Sequence, residues 1–96
     1  MTATIALTPK AKQNLHPRGQ LAYHQRCASR ATAKADWLIE LADRCPDVCP
    51  MDAEQQAKVT TLRAKANAHL RACVLLNDEH ALGFHVTSSM RQTLGL

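Results

Sequence analysis

The sequence predicts an all-α fold: a long antiparallel helical hairpin over residues of about 19–45 and 52–82, with a short helix at either end. Three observations predict it. Ala supplies 16 of the 96 residues and Gly only three, a composition that favours helix and leaves little turn material for a β-rich chain or a Gly-loop enzyme. The stretches 20–45 and 51–82 contain neither Pro nor Gly, and two prolines, Pro46 and Pro50, stand between them. Finally, Gln55, Val59, Leu62, Ala66, His69, Cys73, Leu76 and His80 recur at alternating steps of four and three, a heptad seam held for just over three repeats.

The elements follow in order. Thr8–Pro9 predicts a hydroxyl N-cap and a Pro at the first helical position. That gives a short helix over 9–15, stopped by His16–Pro17 and preceded by a loose segment, 1–8. The first long helix is expected from about Gly19 to Arg44, with an apolar stripe through Tyr23, Cys27, Ala31, Ala35 or Leu38, Ala42 and Cys45. Trp37, Leu38 and Leu41 make its heavy apolar end. The run Cys45–Pro46–Asp47–Val48–Cys49–Pro50 is a turn. Asp52 and Gln55 predict a capping box, and the second long helix then runs from about Ala53 to Leu82, with Gly83 as its C′ residue. Thr87 or Ser88 caps a last short helix ending near Leu94, within a C-terminal capping segment, 84–96. Residues 1–96 are expected to form one small domain. Ala facing Ala allows the two axes to approach closely, but two Ala-rich helices bury little, so completion by homodimerisation is expected.

Composition narrows the function classes. No run of 18 apolar residues occurs, so no membrane-spanning helix and no membrane partner are expected. Met1–Thr8 lacks a basic n-region and is too short for a signal peptide, which makes a cytoplasmic chain the expectation and reduced thiols the default for its four Cys. His80 and His85 lie near Asp78 and Glu79, but no nucleophile or oxyanion-hole signature accompanies them, and catalysis is not expected.

The charges are segregated. Residues 1–35 hold six bases and no acid, residues 36–54 hold six acids and one base, and residues 55–77 hold four bases and no acid. A hairpin about residues 46–51 therefore has an acidic turn end and a basic open end. Arg26, Arg30, Lys34, Arg63, Lys65 and Arg71 are the candidate partner-binding residues, forming a basic helical face for phosphates or an acidic protein surface. The plain reading of the same residues is a solvated face. Only three aromatic residues are present, which argues against stacking on single-stranded bases.

His24, Cys27, His69 and Cys73 are the candidate metal ligands. His24 and Cys27 are three apart, and His69 and Cys73 four apart, so each pair shares a helix face. Counted from the turn, Cys27 and Cys73 stand at similar heights, about 27 and 31 Å at 1.5 Å per residue. The four would make an N2S2 zinc site stapling the open end. Core packing is the leading reading of these residues, with no cofactor, and a Cys27–Cys73 disulfide is the third.

Residues 82–94 resemble the turn and second helix of a helix-turn-helix, through Gly83, the apolar Phe84 and Val86, the Thr87/Ser88 cap, Arg91 and Leu94. Gly83, Ser88, Ser89 and Arg91 also resemble the ending of small terminase subunits of phages. The segment offers a single Arg, whereas a base-reading helix presents several contacting side chains. A capping helix that folds Phe84, Val86 and Leu94 onto the hairpin is therefore expected. The functional expectation is a small non-enzymatic interaction protein whose basic face docks on an acidic macromolecular surface. Its size and lack of motifs suit a modulator from a phage or mobile element that blocks a host complex. A duplex nucleic-acid-binding protein and a zinc-stapled helical module are the alternatives, and a homo-oligomer is expected.

Overall fold

The computed structural model describes residues 16–96. They form three helices, α1 (Pro17–Arg44), α2 (Ala53–His80) and α3 (Ser88–Leu94). The two long helices pack against each other as an antiparallel hairpin, and α3 packs on α2. The short helix expected over 9–15 and the loose segment 1–8 lie outside the described residues. No helix among the described residues is long and apolar enough to cross a membrane.

Local chemistry explains the ends. Pro17 starts α1, two residues before the expected Gly19. Its fixed φ and missing N–H suit the first helical turn, and the imidazole of His16 caps that turn by accepting from the Arg18 N–H at 3.1 Å. At the turn, Cys45 closes α1 by donating its N–H to the Leu41 carbonyl, and the Val48 and Cys49 N–H groups return to the Cys45 carbonyl. Asp52 then caps α2, its Oδ1 accepting from the Gln55 N–H at 2.9 Å. The reciprocal half of the expected capping box is not made. The Gln55 side chain follows the heptad seam into the interface, where its Oε1 is buried without a partner.

The end of α2 also differs from expectation. The helix stops at His80, and Ala81 takes the left-handed conformation (φ 51°) expected of Gly83. Two bonds hold the early exit: the Ala81 N–H donates to the Asn77 carbonyl at 2.8 Å, and the Phe84 N–H donates to Asn77 Oδ1 at 3.0 Å. Asn77 thus turns the chain back before Leu82 can join the helix. Gly83, itself at φ 80°, serves the exit loop instead. The Thr87 hydroxyl caps α3 through the Met90 N–H at 3.0 Å, and Gly95 (φ 73°) ends it, as expected.

The core is a pair of small-residue seams. On α2 the expected heptad holds as far as Leu76: Ala66 and Cys73 are buried, and Gln55, Val59, Leu62, His69 and Leu76 are half-buried, whereas its last member, His80, is exposed. On α1 the buried residues are Leu21, Ala28, Ala31 and Ala35, which with His24, Leu38 and Ala42 also step three and four. The stripe expected through Tyr23 and Cys27 is thus rotated. Both are half-buried, one position off the seam, because the bulkier Leu21 and the small Ala28 sit between the helices. Trp37, expected at the apolar end, is 57% exposed. Val74 and Leu94 are buried on the side of α2 that carries α3.

Left-handed backbone at a residue with a Cβ costs roughly 1–2 kcal/mol, and Gly escapes most of it. Ala81→Gly is therefore expected to raise the unfolding free energy, by about 1 kcal/mol in urea titration, with unchanged helicity. A loss of stability would show that Ala81 is not held in that conformation.

Candidate functional site

Two regions carry the residues singled out by the sequence: the middle of the open half of the hairpin, and its charged surface. In the first, His24 of α1 and His69 of α2 meet across the seam, with Nδ1 to Nδ1 at 2.8 Å. One ring donates its Nδ1–H and the other accepts through its Nδ1 lone pair, which makes the accepting ring the neutral Nε2–H tautomer. Tyr23 packs edge-on against both rings, with centroids 5.2 Å from His24 and 6.1 Å from His69. The His pair, and not the Cys27 and Cys73 expected at similar heights, is level across the hairpin.

The four-ligand set does not assemble. No three His, Cys, Asp or Glu side chains among the described residues come together to hold a metal ion. Antiparallel geometry gives the reason. Three residues beyond His24 lead toward the turn, whereas four residues beyond His69 lead away from it. Cys27 and Cys73 therefore fall on opposite sides of the His pair, about 10 Å apart along the axis. All four Cys are free thiols, so the Cys27–Cys73 disulfide is not formed either. Cys73 is fully buried, its Sγ–H directed at the Leu21 carbonyl at 3.8 Å, and burial pushes its thiol up to about 11 from the ordinary 9.0.

The six candidate bases are all exposed, but they do not share one face. Arg26 is nine residues from the fully buried Ala35, about two and a half turns at 3.6 residues per turn, which places it on the opposite side of α1. Arg30 lies one turn further on. Arg63 is at the other flank, reaching Asp36 at 3.4 Å. Arg71 borders a shallow groove of about 310 Å³ with Thr93 and Leu94 beside α3. Lys34 alone of the six lines a groove of about 510 Å³ on the flank away from Arg63, together with Leu38, Glu54, Ala57, Lys58, Thr61 and Leu62. Lys65 extends that rim, since seven residues from Lys58 is two turns of helix. Lys58 was missed by the sequence reading, although its spacing to Lys65 was there to be seen.

The C-terminal segment is committed internally. Arg91 pairs with Asp78, whose hydrogen bond and charge hold the guanidinium proton still more tightly. The lone Arg of the helix-turn-helix-like segment is thus engaged with α2, and Leu94 is buried as a capping helix requires.

No family model matches the chain, and neither a curated protein nor a solved structure shows similarity to it. The residues themselves carry the functional argument.

Replacing one His of the pair leaves a half-buried ring nitrogen without its partner. In a double-mutant cycle with His24→Leu and His69→Leu, a coupling of about 0.5–1.5 kcal/mol is expected. Additive effects would show that the two rings do not bond. Cys73 gives a pH dependence. Its raised folded value means that its contribution is fully present below pH 9.0 and is lost as pH rises through about 11. Wild type is expected to lose more stability across that window than Cys73→Ala. Equal slopes would place the thiol in water.

Proposed function

We propose that this chain is a small non-enzymatic interaction protein that takes an acidic, amphipathic helix of a protein partner onto the uncovered flank of its hairpin. The observation that supports this is the 510 Å³ groove between α1 and α2. A helical hairpin has two flanks. Here α3 occupies one, and the other presents the apolar side chains of Leu38, Ala57 and Leu62 between Lys34 and Lys58, with Glu54 at the end nearer the turn. An entering helix with Leu-type residues at heptad spacing would cover the apolar floor. Asp or Glu beside that stripe would meet Lys34, Lys58 and Lys65, and the hairpin would become a three-helix unit on that side.

The scatter of the other bases favours a protein over a nucleic acid. A duplex backbone is best met by a continuous basic face, and Arg63 and Arg91 are already bonded to Asp36 and Asp78. No catalytic step is assigned to any residue in this reading.

Fluorescence anisotropy with a labelled peptide of about 20 residues, carrying Leu at heptad positions flanked by Glu, tests this. Wild type is expected to bind, and Lys34→Glu/Lys58→Glu/Lys65→Glu to bind at least about tenfold more weakly at unchanged helicity. A scrambled peptide of the same composition serves as control and is expected not to bind. Equal binding of scrambled and ordered peptides would sink the groove. Tighter binding of a labelled random-sequence DNA duplex, lost steeply with added salt, would replace it with the nucleic-acid reading.

A further inference from the structure

His24 and His69 aim their Nδ1 atoms at one another from two different helices, 2.8 Å apart. Tyr23 lies edge-on against both rings and fixes their attitude. The bond between them uses one Nδ1 proton. When both rings carry their proton on Nε2 instead, two Nδ1 lone pairs converge on the space between the helices. An unprotonated imidazole nitrogen is a ligand for borderline transition ions.

The geometry points to a zinc-binding site at this pair, with Nδ1 of each ring as the protein ligands. The distances select the ion. Zinc–nitrogen bonds of about 2.0–2.1 Å at the tetrahedral angle put two ring nitrogens about 3.3 Å apart and their ring centroids about 5.2 Å apart. The centroids of His24 and His69 are 5.1 Å apart. Each ring therefore has only to tilt in place, which widens the gap between the nitrogens while the helices stay where they are. Adjacent ligands on a square-planar ion would bring the centroids to about 4.5 Å, and the helices would have to close further on a seam already filled by Ala28 and Ala66. In the neutral pair, the donor ring's proton passes from Nδ1 to Nε2 through water as the ion enters.

Both rings are half-buried, so water reaches the site and completes the tetrahedron. One turn to either side of the pair stand Gln20 and Ala28 on α1 and Lys65 and Cys73 on α2. Lys65 is exposed, so its ammonium stays in water away from the ion. Two protein ligands make a weaker site than the three or four of resident zinc centres, so the ion exchanges and its occupancy follows its concentration. Bound there, zinc ties α1 to α2 in the open half of the hairpin. Lys34 of the groove is ten residues from His24, about 15 Å along α1, so the two sites are tested independently.

Accessible thiols compete for zinc, so the measurements use Cys27→Ser/Cys45→Ser/Cys49→Ser. Calorimetric titration with zinc chloride is expected to give one ion per chain, and thermal unfolding to move upward by several degrees and to return with EDTA. In the same background His24→Leu and His69→Leu are each expected to weaken binding at least about tenfold. Long-range proton–nitrogen correlation spectra read the ligand atoms with both imidazoles intact. With zinc, both rings are expected to show a metal-bound Nδ1 and a protonated Nε2. Millimolar zinc that leaves the ring spectra and the melting temperature unchanged overturns the proposal. So does binding that survives His24→Leu/His69→Leu with helicity intact, which assigns the ion to other groups.

Discussion

The close approach of two helices through side chains one methyl long is the constraint on which the rest of the molecule depends. Ala28, Ala31 and Ala35 on α1 and Ala66 on α2 are buried between them. Each contributes little apolar area, on the order of 0.8 kcal/mol per buried carbon, so the hairpin is held by the length of its seam. The same closeness brings polar groups within bonding range across the interface. The imidazoles of His24 and His69 touch directly, and the thiol of Cys73 reaches the backbone of Leu21. With bulkier residues along the seam, neither contact would form.

A seam rich in Ala leaves several of the chain's large apolar side chains on the outside. Trp37, Leu75 and Val48 are exposed by 57%, 53% and 80%. Single exposed apolar residues are ordinary on protein surfaces. The groove at Leu38 and Leu62 is set apart by its position, since the third helix covers the other flank.

Charge follows topology in a way that a linear count does not show. Folding the chain at Cys45–Pro50 gathers the acids at the turn, but helical rotation then distributes the bases around the hairpin. Arg26 and Arg30 project outward, Lys34 and Lys58 rim the open flank with Lys65 two turns beyond Lys58, and Arg63 and Arg91 are bonded to Asp36 and Asp78. A block of like charge in sequence is thus divided among three surfaces with different neighbours.

The sequence by itself determined the hairpin, because its signals are local: prolines that stop a helix, Asp52 and Thr87 that cap one, and a heptad at 55–80 that repeats regardless of partner. The tertiary structure decided what depends on direction and rotation. Tyr23 and Cys27 read as well on a stripe as Leu21 and Ala28, and only packing against α2 settled which pair is buried. Cys27 and Cys73 count to similar heights from the turn, yet the packing sets His24 level with His69, and in an antiparallel pair the steps from each His to its Cys lead in opposite directions. Asn77 ended α2 early through a bond to Phe84, seven residues away, which no propensity encodes. Distances along one helix follow from residue count alone, whereas contacts between helices depend on relative rotation, and that is set by the packing of both seams at once.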